Sequence, residues 1–320
     1  MSITMNIRRI PMFKNIDRME DELYARQDVI HPLEDSPVRF EIVSESVKRG
    51  GSGPPKRLIP IMIPTLMGIN KSLKSLADNP TNPKTLADPD LLEQIEELAS
   101  RNGASSFGYT KVEPGWVFQD KAISFDNAIV FAMEMDKKRM DTAPSISCMQ
   151  TVMETYRDQG RLANKIAAFL RKRGYGAHAG HPLMGLALYP PMAQKAGLGW
   201  MGLNGIIITP ENGPRIRLAA VFTSIQNLPL GEGNTHTWIE SFCASCKICI
   251  KKCPPQALYE EPVIHDNGQL TYVENELCFP YFNDHYGCSV CVKVCPFNKT
   301  DYDTIKLSFE RRKDAGEFTG

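Results

Sequence analysis

The chain has 320 residues, with 37 basic and 37 acidic side chains and a formal net charge of zero. That balance argues against nucleic acid and anionic lipid as partners. The length suffices to bury a core and to carry one large domain with a smaller one beside it.

A twin arginine, Arg8-Arg9, stands near the start, but IPMFKNIDRMEDE behind it holds six charged residues and no apolar run. A signal peptide needs such a run, so a cytoplasmic protein is expected. In a reducing compartment, nine cysteines point to metal or redox chemistry rather than to disulfides. Residues 1–57 are polar and close on KRGGSGPPKR, which reads as an N-terminal arm or wrap. LIPIMIPTLMGI (58–69) is too short to span a membrane and carries two prolines.

From residue 58 the pattern becomes globular. DPDLLEQIEELASRNGA (88–104) predicts a helix with Asp88 as cap, Pro89 in the first turn, and Leu91, Leu92, Ile95, Leu98 and Ala99 as its buried stripe. SSFGYTKVE (105–113) and AIVFAMEM (128–135) predict strands, the second apolar enough to be covered on both faces. A long helix is expected over 146–173, ended by Gly174. Residues 206–225 predict two strands around a turn at Glu211–Pro214. Helices alternating with apolar strands imply layers of α and β structure. GEGNTHT (231–237) reads as a linker, after which the composition changes.

The cysteines begin there. Cys243, Cys246, Cys249 and Cys253-Pro254 follow C-x2-C-x2-C-x3-C-P, and Cys288, Cys291 and Cys295-Pro296 follow C-x2-C-x3-C-P. In such runs three thiolates from one loop converge on a cubane and the fourth comes from the opposite motif. One cluster would then take Cys243, Cys246, Cys249 and Cys295. The other would take Cys253, Cys288 and Cys291, completed by Cys278. Two [4Fe–4S] clusters account for all eight, and such a module moves single electrons. Paired structural zinc sites are the alternative, and the triple run fits their knuckle spacing poorly. Cys148 lies apart and reads as a buried thiol.

A second dense feature lies upstream. Gly197, Gly199, Gly202 and Gly205 crowd PPMAQKAGLGWMGLNGIIITPENGPRIRL (190–218). They let backbone approach a bulky ligand, or simply form a tight loop.

In order and spacing, AIVFAMEMDKKRMDTAPS, TYRDQGRLANKIAAFLRKRGYGA, GYGAHAG, AGLGWMGLNGIIITPENGPRIRLAAVFT and the cysteine pattern resemble the cobalamin-dependent reductive dehalogenase family. The resemblance covers roughly 105–300. It implies an α+β fold: a nitroreductase-like α/β sandwich as corrinoid-binding core (58–230), then a two-[4Fe–4S] ferredoxin-like module (231–300) and a tail (301–320). It implies base-off cobalamin, and D-x-H-x-x-G, a loop that supplies a lower histidine elsewhere, is absent. By the same resemblance Tyr156 is the proton donor and Arg217 its phenolate partner. A free phenol has a pKa of about 10 and needs a nearby cation to give up its proton readily. Gly197, Gly199, Trp200, Gly202, Gly205, Arg215 and His178 are the expected corrinoid contacts. His178-x-x-His181 alone is too sparse for a separate metal site.

The implied activity is reductive cleavage of a carbon–halogen bond in a small organohalide or similar electrophile. The implied electron source is an external low-potential donor such as ferredoxin or flavodoxin; no membrane is expected, and pairing into a homodimer stays open. Epoxyqueuosine reductases share AGLGW and the cysteine arrangement, so a tRNA-modifying reductase is the near alternative. Their proton-donating acid would fall in GHPLMGLALYPP (180–191), which holds no Asp or Glu. A non-catalytic electron carrier or corrinoid-reactivating partner is the third reading.

Overall fold

A computed structural model describes residues 11–37, 56–183, 185–231 and 233–315. Of the expected arm, residues 1–10 and 38–55 lie outside the described residues, as do 316–320 of the tail. Helix α1 (Pro11–Tyr24) packs on α2 (Ile59–Lys74) and buries Leu23. Sequence alone gives no element over 59–74, because two prolines mask the helix. Pro60 sits in the first turn, where its missing N–H costs nothing, and Pro64 follows one turn later.

Helix α3 (Pro89–Arg101) leads into β1 (Ala104–Lys111), and β2 (Asn127–Glu134) follows. Then comes α4 (Ile146–Lys172), 27 residues and about 40 Å long. The side chain of Ser145 caps it by accepting from the Cys148 N–H at 3.1 Å, and Gly174 ends it with a φ of 89°. Strand β3 (Ala177–Gly180), α5 (Tyr189–Lys195), β4 (Trp200–Met201), β5 (Ile207–Ile208) and β6 (Ile216–Thr223) complete this part.

The main sheet has the order β1-β2-β6-β3, with every pairing antiparallel. Its central strand β2 shows why it is apolar nearly throughout. Ile129, Phe131 and Met133 enter one core with Leu91 and Ile95 of α3 and Leu162, Ile166 and Leu170 of α4. Ala128, Val130 and Ala132 enter a second core with Met192 and Ala193 of α5, and with Phe222. The sheet therefore lies between two helical layers, and side chains alternate between them.

The cysteine region starts with α6 (Trp238–Cys246) and continues through the hairpin β7 (Leu258–Ile264) and β8 (Leu270–Val273), α7 (Asn275–Asp284) and α8 (Tyr302–Asp314). Asn298 pins this region to the sheet layer. Its Oδ1 accepts from Arg215 Nη1 at 3.1 Å, its Nδ2 donates to Asp141 at 2.8 Å, and its carbonyl accepts from Lys137 at 2.6 Å. Asn298 is 1% exposed, and no spacing motif announces it.

Candidate functional site

Helix α4 and strand β6 bring two of the predicted residues together. The Arg217 guanidinium lies 5.1 Å from the centroid of the Tyr156 ring. Arg217 opposes Met133 on β2, which directs it toward α4. A cation over an aromatic face is attracted by the ring electrons. Arg217 Nε is buried without an acceptor, and so is Oε1 of the neighbouring Gln159 without a donor. Leftover polar atoms in a buried space fit a polar-edged ligand.

The expected corrinoid contacts divide. Gly197 has a φ of 77° and nothing within 4 Å of where a Cβ would stand, while its N–H donates to the Gln194 carbonyl at 3.1 Å. The other glycines are required by the protein itself. A Cβ on Gly199 would stand 2.1 Å from the Ile208 carbonyl, and one on Gly202 would stand 2.9 Å from the Ile208 side chain. Gly205 has a φ of 71° and lies under Tyr272. Trp200 packs with Ile208, Trp238, Phe242 and Cys243 in the seam beside the cysteines. Arg215, 7% exposed, is taken up by Glu134 at 3.0 Å and by Asn298. It serves the junction between the two parts of the chain.

His178 stands apart from Arg217. It pairs with Phe222, five residues along β6, roughly 17 Å away. It is 1% exposed, and burial, with the charges of Arg171 and Arg26, lowers its pKa to about 3. His181 is also neutral, its pKa lowered to about 4 by burial. The His181 ring wedges against Gly160 of α4, where a Cβ would meet Nε2 at 2.0 Å.

The eight thiols fall into two neighbourhoods. The charges of Cys243, Cys249 and Cys246 act on Cys295, and those of Cys249 and Cys246 act on Cys243. Cys253 and Cys288 act on Cys278, while Cys288, Cys278 and Cys253, with Cys249 of the other group, act on Cys291. Burial first, then these like charges, pushes the thiols up: Cys243 and Cys291 to about 12, Cys249 and Cys278 to about 11. Buried thiols that repel one another ionise together only around strong positive charge, which suits this donor set to iron. Among the described residues, no three His, Cys, Asp or Glu side chains converge as ligands of a single ion. In a cubane each thiolate binds a different iron, so such convergence is not needed.

Cys148, 0% exposed, links the two places. It feels the charges of both Arg217 and Cys288 and takes a hydrogen bond from Ser289. The catalytic candidates and the second group of thiols therefore border one buried thiol. Cys148 is the buried thiol that the sequence suggests. Gln159 and Asn298 stand among other polar residues, in YRDQGR and PFNKTD, and carry no signal in the sequence.

No family model matches the chain. Over 222 residues it is 34% identical to the tetrachloroethene reductive dehalogenase of Desulfitobacterium hafniense, covering 65% of this chain and 39% of that protein. The chain is a relative of the reductive dehalogenases. It is also 33% identical over 163 residues to the epoxyqueuosine reductase of Vibrio cholerae, covering 48% of this chain and 41% of the other. Both relatives are oxidoreductases. The chain thus spans about two fifths of the length of these curated relatives. The chain shares its fold with the catabolic reductive dehalogenase NpRdhA, with a TM-score of 0.64 at 21% identity, over 90% of this chain and 44% of that one. Among the described residues, no helix is long and apolar enough to cross a membrane.

Proposed function

We propose that the chain is a cobalamin- and iron–sulfur-dependent reductase that cleaves the carbon–halogen bond of a small organohalide, with Tyr156 giving the proton. Residues 58–230 would form a nitroreductase-like corrinoid core and residues 231–300 a two-cluster module. The observation that carries the reading is the Arg217 guanidinium over the Tyr156 ring at 5.1 Å, on a chain that also holds eight cysteines in its C-terminal region.

The reaction consumes two electrons and one proton, and releases halide and the hydrogen-substituted carbon. When bound, the corrinoid would supply a reduced metal centre and the clusters would supply electrons singly. The protein's own residues do the rest. Tyr156 holds the proton that goes to carbon. Arg217 steadies the negative charge left on the phenol oxygen, because a nearby cation favours the ionised form. Cys243, Cys246, Cys249 and Cys295 would hold one cluster, and Cys253, Cys278, Cys288 and Cys291 the other. The free Nε of Arg217 and the unpartnered Oε1 of Gln159 support a polar-edged ligand near the site. An external carrier such as ferredoxin or flavodoxin would feed the module.

Anaerobic purification with cobalamin supplied, followed by a visible spectrum and metal analysis, tests the cofactors. Iron and cobalt are expected together, and iron without cobalt ends the corrinoid reading. Tyr156→Phe is expected to abolish organohalide turnover while cofactor content stays at the wild-type level. Reduction of epoxyqueuosine in tRNA, with no organohalide turned over, would instead select the tRNA-modifying alternative.

A further inference from the structure

We infer that Gln159 is a positioning residue for the Tyr156–Arg217 pair. The inference rests on the proposed function for what the pair does, though not for where Gln159 holds it. Gln159 is 0% exposed and lies on α4 three residues after Tyr156. Residues three apart on a helix share a side, so the phenol and this carboxamide look the same way. The Gln159 Nε2 donates to the backbone carbonyl of Arg217 at 2.5 Å.

Arg217 opposes Met133 on β2, and the Met135 N–H donates to the Arg215 carbonyl two residues back, so the alternation of the ladder turns the Arg217 carbonyl toward β2 as well. A carbonyl oxygen has a second lone pair, and Gln159 engages it from the α4 side of the sheet. One helix thus presents the phenol and clamps the strand residue whose guanidinium lies over it.

The amide works in one orientation. Turned round, Oε1 would face the Arg217 carbonyl, oxygen against oxygen, and the bond would be lost. Asn is a methylene too short to reach, and Glu offers only acceptors when ionised. The guanidinium has little other anchorage on this side, since Arg217 Nε is buried without an acceptor. Its place over the ring follows from where the backbone is held.

Gln159→Met keeps the length and volume and removes the donor. A structure of this variant is expected to show the Arg217 guanidinium displaced from the Tyr156 ring, with iron content unchanged. The kcat for organohalide reduction is expected to fall roughly tenfold with KM unchanged. Combined with Arg217→Gln, Gln159→Met should add no further loss, because the group it positions is gone. A guanidinium that stays in place over the ring overturns the inference. So does an equal loss in both backgrounds, which general damage to packing would produce. If Gln159→Met fails to fold, Gln159→Glu tests the same displacement with a near-isosteric side chain. If the wild-type protein turns over no organohalide while the displacement is seen, the proposed function fails and the role of Gln159 stands.

Discussion

At the scale of single residues, two buried histidines give the fold a pH limit. His178 has the Ser124 hydroxyl 3.5 Å from its Nδ1 and packs at 5.9 Å from the Phe222 ring, while His181 is wedged against Gly160. Their pKa values, about 3 and about 4, lie below the ordinary histidine value. The unfolded chain takes up protons at these positions below about pH 6.5, while the folded chain does not. Their contribution to stability is therefore complete above about pH 6.5 and is lost as pH falls toward 4 and then 3. At pH 5 each should have lost about 2 kcal/mol. Urea unfolding at pH 7.5 and pH 5 checks this, with His178→Gln expected to lose less stability between the two than the wild type does. An equal loss in both would mean that acidic side chains govern the pH dependence. The sequence offered His178 as a cofactor contact because it sits in a motif. Its side chain instead points into the core, 1% exposed and beside the Phe222 ring.

At the scale of elements, the turn between β5 and β6 carries the most specific demand. Gly213 has a φ of 57°, and a Cβ there would stand 2.3 Å from the Phe297 carbonyl. Gly213→Ala should strain the turn and push it off the cysteine region, costing roughly 2–4 kcal/mol. Thermal unfolding would show the loss, and bound iron should be retained less well on dilution. Gly231→Ala is the control: nothing stands within 4 Å of its Cβ position, so melting should hardly change. The helix at Pro89–Arg101 and strands β1, β2 and β6 were legible within a residue or two, because local periodicity and end signals agree. Helix α2 was not, because prolines in its first turns look like breakers until a neighbour stabilises the helix. The long helix α4 was legible as an element but not in its division of labour. Its second half buries Leu162, Ile166 and Leu170, while its first half carries Tyr156 and Gln159.

At the scale of the whole molecule, the cysteine region and the sheet layers are joined by buried polar contacts around Asn298 and by the apolar cluster of Met135, Met140, Cys148 and Val292. Cys291 packs against that same cluster. Anaerobic metal analysis should find about eight irons per chain if both groups of thiols are filled. Cys291→Ser should lower this to about four and loosen the adjoining core, seen as a lower melting temperature. Full retention of iron in that variant would mean that Cys291 is not a ligand.

The sequence alone determined the cysteine spacing, the main strands and the kinship, because motif spacing and side-chain periodicity are local properties of the chain. Tertiary structure alone decided which glycines answer to the protein rather than to a ligand, that Arg215 belongs to a junction, and that Arg217 meets Tyr156 with Gln159 holding the strand beneath it. Those facts depend on which face of the sheet α4 covers and on the register of β6 against β2. Such distances between segments far apart in sequence arise only when the layers pack.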